Sequence, residues 1–122
     1  MPNINAALGC AQLENLDRYV ADKRETAARY AEFFKDKEDI TFFTEPADCK
    51  SNYWLNAVVL KDKAAQLDFL EYTNDHGVMT RPVWELMNRL PMFEYCETDG
   101  LENTEWLADR VVNIPSSVRL DK

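Results

Sequence analysis

Apolar residues at the start of the chain recur at helical spacing from Asn3 to about Phe34, but on two different stripes. At about 100° per residue, Ile4, Ala7, Leu8 and Ala11 fall on one side of the cylinder. Leu13, Leu16, Tyr19, Val20, Ala27, Tyr30, Ala31 and Phe34 fall on another, about 140° round from the first. A helix docked on a single core keeps one stripe from end to end. The change near Gln12 therefore predicts one long helix whose two halves bury against different things. These are either two domains of a larger protein, or a domain and a partner chain. Asn3 or Asn5 is expected to cap the start.

After a polar turn at Lys35–Asp39 the period changes. Ile40–Phe43 reads as a short strand stopped by Pro46. Asn52–Leu60 is the clearest strand, apolar on both faces and so expected to be central, with Asn56 needing a partner if buried. Asp62 can cap a helix over Lys63–Asp75 that presents Leu67 and Leu70, and Gly77 can end it in the left-handed conformation. Val78–Val83 is a third strand, placed at an edge or bulge by Pro82. Trp84–Leu90 is expected to form a short helix, and Asn103 or Thr104 to cap a last one. Val112–Ile114 makes a final strand. The order predicts one structural unit of α/β (α+β) class. Its long N-terminal helix over 1–36 precedes a small antiparallel or mixed sheet with helices on it over 37–122.

With 122 residues the chain suffices for one domain with a core. Its 22 acidic and 14 basic residues give a net charge of −8, which repels phosphate backbones and anionic lipid, so neither nucleic acid nor membrane is an expected partner. No run approaches the ~20 apolar residues of a membrane span. Ala7–Cys10 lacks the basic segment and apolar run of a leader, and a soluble protein is expected. Cys10, Cys49 and Cys96 form no metal-ligand spacing and have only His76 as a nitrogen co-ligand. Free buried thiols in a reducing cytoplasm, and no metal, are expected. The chain has no Gly-rich phosphate loop and no catalytic constellation. Its densest unusual cluster is Thr80-Arg81-Pro82-Val83-Trp84. A guanidinium beside an indole suits an anionic or sugar-like ligand, and equally an interface ion pair beside a core tryptophan.

Several stretches match a known pattern in order. They are Met1–Gly9 with Gln12-Leu13-Glu14 and Leu16-Asp17, and Ser51–Leu55 with Val58–Leu60. Gly77-Val78 with Thr80–Trp84, Leu90-Pro91, and Ala108 with Asn113–Ser117 follow. Over nearly the whole chain the sequence resembles the C-terminal part of DegT/DnrJ/EryC1/StrS aminotransferases. These are fold type I pyridoxal-phosphate (PLP) enzymes that aminate keto groups on nucleotide sugars. The Arg-Pro-Val-Trp form resembles the branch making 4-amino sugars for legionaminic acid or bacillosamine. Many other members carry His-Tyr where this chain has Val83-Trp84.

The resemblance implies that the long helix joins a large PLP domain upstream, where the Schiff-base lysine and most cofactor contacts lie. None of the lysines here falls in the family's lysine motif, so no catalytic or cofactor-binding residue is expected in this chain, which alone should be inactive and hold no PLP. The parent is expected to be a homodimer that moves an amino group from glutamate to a 4-keto deoxysugar. Within this piece Arg81, Trp84 and Asn52 would line the substrate side. The competing expectation is a free-standing, non-enzymatic acidic α/β module that binds a protein through the Ile4–Ala11 face. A truncated relative acting as a regulatory subunit is the third.

Overall fold

A computed structural model describes residues 1–119. The opening is two helices, α1 (Asn3–Glu14) and α2 (Leu16–Phe34), where the sequence predicts one. Asn15 breaks the run at φ −103°, ψ 0°. Its side chain donates to the Ala11 carbonyl at 2.9 Å and its N–H turns back to Gln12 at 3.2 Å, closing α1 from within. The first stripe thus lies on α1 and all of the second but Leu13 on α2, the helix breaking at Asn15 rather than running on past the change of stripe near Gln12. Pro2, not an asparagine side chain, occupies the cap of α1. No residue of α1 is buried, and Leu13 and Leu16, on the second apolar stripe with Ala27 and Tyr30, are exposed. The core-facing part of α2 begins further on, with Thr26, Ala27, Tyr30, Ala31 and Phe34.

β1 (Ile40–Phe42), β2 (Asn56–Leu60), α3 (Lys63–Asp75), β3 (Arg81–Pro82), α4 (Glu102–Ala108) and β4 (Val111–Ile114) complete the fold. The sheet is antiparallel throughout in the order β1-β2-β4-β3, so β2 is central and β3 an edge, as Pro82 requires. Register pairs Phe42 with Val58 and Val58 with Val112, which stacks alternate residues of three strands on one face. That face holds Phe42, Val58, Leu60, Val112 and Ile114 against Ala27 of α2 and Ala65, Phe69 and Leu70 of α3. Thr41, Ala57, Val59, Val111 and Asn113 alternate onto the other face, none of them fully buried.

Local chemistry sets the limits of α3 where the sequence places them. Asp62 accepts from the Ala65 N–H at 2.8 Å, and Gly77 takes φ +76° just past the end. Its buried face keeps Leu70, as expected, but not Leu67. Gln66 is fully buried, whereas Leu67 is exposed. The Gln66 amide donates to the carbonyls of Ala108 and Val111, both at 2.9 Å, and accepts from Lys63 Nζ. Those carbonyls need a donor that leucine lacks. The expected helix over 84–90 is instead two 3-10 turns, Met87–Arg89 and Pro91–Phe93, because Pro91 removes the N–H that would extend the first. Leu101 at φ +54°, rather than Asn103 or Thr104, precedes α4. The three cysteines are free but all exposed, contrary to the expected burial.

Asn56 lies at 1% exposure in the centre of the sheet, and neither atom of its side-chain amide meets a partner among the described residues. Burying an amide without hydrogen bonds costs free energy, and a β-branched residue suits the same strand position. Asn56→Val is expected to raise the unfolding free energy by about 1 kcal/mol. Urea titration checks this; a lowered midpoint at unchanged slope would show that the amide is engaged.

Candidate functional site

Strand alternation and a helix tether build one cleft at the end of the sheet that carries β3. Thr80 is buried, its hydroxyl 2.6 Å from Thr73 Oγ1 and 3.0 Å from the Asn74 amide of α3. With Thr80 facing inward, the next residue must face outward, so Arg81 emerges on the open face of the sheet opposite Asn113. The Asn113 amide also donates to the Pro82 carbonyl at 3.5 Å. Trp84 follows as the strand ends.

The facing wall comes from the loop before β2. Ser51 and Asn52 fold it: the Tyr53 N–H donates to Ser51 Oγ at 2.9 Å and the Trp54 N–H to Asn52 Oδ1 at 3.0 Å. Tyr53 sits at φ +46°, so the strand predicted over Asn52–Leu60 cannot begin before this bend and starts at Asn56. The chain after β4 closes the floor. Ser116 Oγ accepts from the Asn56 N–H at 2.7 Å and donates to the Ile114 carbonyl at 2.8 Å.

Three consecutive residues of α2 tie these walls together. Lys23 Nζ donates to the carbonyls of Ser116 (2.6 Å) and Trp54 (3.3 Å). The Arg24 guanidinium grips both oxygens of Glu45, at 2.6 and 3.0 Å, and reaches the Ser51 carbonyl. Asp22 accepts from the Arg119 N–H at 3.0 Å. Arg24, followed by the Ser51 N–H at 2.6 Å, holds the Glu45 carboxyl down to about 2 from an ordinary 4.5. A carboxyl held low in the folded state stabilises fully above about 4.5, and that stabilisation fades as pH falls towards 2. The stability advantage of the natural chain over Glu45→Gln is therefore expected to narrow across that window. Paired denaturant titrations from pH 6 to pH 2 (~4 units) measure it; a gap that stays constant or widens would contradict the pairing.

The resulting cleft has a volume of about 580 Å³. Arg81 and Trp84, singled out from the sequence, both line it, whereas Asn52 does not and serves the turn beneath Trp54. Lys23, Trp54, Asn113, Ser116 and Ser117 also line it; all but Lys23 lie in the stretches that carry the family resemblance, yet none is picked out from the sequence as a site residue. Ser116 reaches Lys23 across 93 positions of sequence. Among the described residues no group of three or more His, Cys, Asp or Glu could hold a metal ion, and no helix is long and apolar enough to cross a membrane. The lining does not by itself fit PLP. Its one lysine, Lys23, is a tether to two carbonyls rather than a free amine, and no lining carboxylate is there to face a pyridine nitrogen.

A model of the DegT/DnrJ/EryC1/StrS aminotransferase family matches residues 1–122. EpsN of Bacillus subtilis, provisionally named a pyridoxal phosphate-dependent aminotransferase, is 29% identical over 120 residues, covering 95% of this chain and 31% of EpsN. GDP-perosamine synthase of Escherichia coli O157:H7 is 29% identical over 118 residues, again 95% of this chain and 31% of the relative. The structure of PseC of Helicobacter pylori, an aminotransferase involved in the biosynthesis of pseudoaminic acid, superposes with a TM-score of 0.86. That match is 21% identical and covers 97% of this chain and 33% of PseC, a likeness of fold. The chain thus spans 31% of the length of the first two relatives. Matched from its first helix to the strap that floors the cleft, it belongs to the DegT/DnrJ/EryC1/StrS aminotransferase family.

Proposed function

We propose that this chain is the C-terminal small domain of a nucleotide-sugar aminotransferase. The parent carries an amino group from glutamate, with PLP as its cofactor, to the 4-keto carbon of a nucleotide-linked deoxysugar used in surface polysaccharide or glycan synthesis. One observation carries the reading: a family match over the whole chain that spans only 31% of each of two curated relatives. Residues 1–36 then lead in from a large domain and 37–122 form the small one. The apolar stripe of α1, with Ile4 82% and Leu8 61% exposed, suits packing on that large domain. Arg81 and Trp84 bind and position substrate from the cleft wall, while Asn52 acts by shaping the turn beneath Trp54. The parent is a cytoplasmic homodimer; three free, exposed thiols suit a reducing compartment. The Arg-Pro-Val-Trp form supports a substrate of the legionaminic acid or bacillosamine type.

The test is to express the complete reading frame that contains this chain, and the 122-residue chain separately. The complete protein is expected to form an internal aldimine and to aminate UDP- or GDP-linked 4-keto deoxysugars with glutamate. The short chain is expected to do neither. An aldimine spectrum from the short chain, or no amino transfer by the complete one, overturns the proposal. A frame that proves to begin at Met1 would favour the protein-binding module instead.

A further inference from the structure

The core is open at the end of the sheet away from the cleft. The cleft gathers where Asn56 pairs with Ile114, whereas Leu60 at the other end of β2 borders a second groove of about 820 Å³. Its walls are the C-terminal end of α2, the turn over 36–39 and one face of α3. Ala65, Phe69 and Tyr72 stand at i, i+4 and i+7 on α3, two turns of a single stripe, and Phe34 and Ile40 complete the apolar floor. Phe34, Ile40 and Phe69 pack on the core yet are only half-buried, and Tyr72 is 65% exposed.

The rim of this groove is acidic. Asp36, Glu38, Asp39 and Asp68 line it, and none of the four has an ion pair or side-chain hydrogen bond among the described residues. Elsewhere Glu25, Glu45, Glu85 and Asp109 each pair with a lysine or arginine. Two lysines also line the groove, but Lys37 holds its ammonium 5.4 Å from the Phe33 ring, which is not part of the lining. Lys61 is then the remaining cation against four carboxylates. Such a rim repels anionic ligands, and it repels the same groove on a second copy. The α1 helix of a second copy has an apolar stripe but no lysine or arginine to offer the rim. A helix with apolar residues on one side and cations on its flanks answers both features at once.

We infer that this groove docks a basic amphipathic helix of another protein, its apolar stripe against Ile40, Phe69 and Tyr72 and its flanking cations on Asp36, Asp39 and Asp68. The helix approaches from the end of the sheet opposite the cleft, so docking leaves Arg81 and Trp84 open. The inference does not depend on the aminotransferase reading.

The experiment uses the 122-residue chain and the complete protein that contains it. The probe is a labelled helical peptide of about four turns with leucine on one stripe and lysine elsewhere. Comparators keep the leucine stripe on a glutamate background, or keep the lysines and scramble the stripe. The lysine peptide is expected to bind both proteins, to shift the amides of Ile40, Leu60 and Tyr72, and to weaken as salt is added. Neither comparator should bind at the same concentration. Tyr72→Ser removes an exposed ring and should raise the dissociation constant about tenfold. Asp36→Asn, Asp39→Asn and Asp68→Asn together should do the same and flatten the salt dependence. Glu94→Gln, Glu97→Gln and Glu102→Gln together remove as much charge away from the groove and should change nothing. Equal weakening by the two triple variants, indifference to Tyr72→Ser, or equal binding of the glutamate peptide would overturn the inference. So would binding by the short chain alone, which would mean that the rest of the parent fills the groove. A concentration-dependent dimer abolished by Tyr72→Ser would assign the groove to a second copy and overturn it too.

Discussion

Phe42→Ala is expected to destabilise the chain by ~3–5 kcal/mol, the largest effect of any single truncation in the sheet. Phe42 is 7% exposed, lies opposite Val58 in register, and sits 5.9 Å from the Tyr30 ring and 6.4 Å from the Tyr53 ring. Among the described residues the buried apolar cluster is six side chains, so neighbours have little slack with which to refill the cavity. A domain of ordinary stability has ~5–15 kcal/mol in total, and such a loss leaves it close to its unfolding midpoint. The effect should extend to the cleft. Phe42 supports Tyr53, whose hydroxyl accepts from the Glu45 N–H at 3.1 Å, and Tyr53 sets the bend that presents Trp54. Thermal unfolding and tryptophan emission should therefore change together in Phe42→Ala. A cost below ~1 kcal/mol would show that the site collapses without a cavity, and that the aromatic trio is not what fixes the loop.

What could be read from the sequence follows the range of the forces involved. Asp62 and Gly77 bound α3 by contacts within four residues, and that helix comes out as its letters indicate. Pro82 places β3 at an edge because a missing N–H has the same consequence in any fold. The two stripes of the opening helices were legible as a change of face. The break at Asn15 was not, because it depends on a side chain turning back on Ala11 instead of capping forwards. Periodicity misassigned the pair Gln66 and Leu67 for a different reason. Adjacent helix positions lie about 100° apart, so polarity normally decides which one is buried. Here the carbonyls of Ala108 and Val111, more than forty residues away, decide it. The candidate site divides along the same line. Arg81 and Trp84 share one short cluster, whereas Lys23, Trp54 and Ser116 meet only because the antiparallel register sets Asn56 beside Ile114.

The Gln66 contacts also carry the second large expected effect. Gln66→Leu keeps the size of the side chain but withdraws the donor shared by two carbonyls at the turn from α4 into β4, and should cost ~2–4 kcal/mol. Gln66→Glu should cost more, since it sets a buried carboxylate against two carbonyl oxygens, although Lys63 Nζ lies on the other oxygen. The two variants part further in their response to acid. Burial and the facing carbonyls raise the folded-state pKa of the introduced glutamate above its unfolded value, because the protonated form can donate to them. The folded state of Gln66→Glu then binds more protons than the unfolded state, so the destabilisation should shrink as pH falls through the raised value. Gln66→Leu has no group to titrate and should track the natural chain. Denaturant titrations at pH 7 and pH 4.5 (~2.5 units apart) separate the two. If the glutamate variant were no worse at pH 7, or failed to recover towards acid, the buried amide would be filling space rather than supplying hydrogen. The turn would then need another anchor to carry β4 on to Asn113 and Ser116, which floor the cleft.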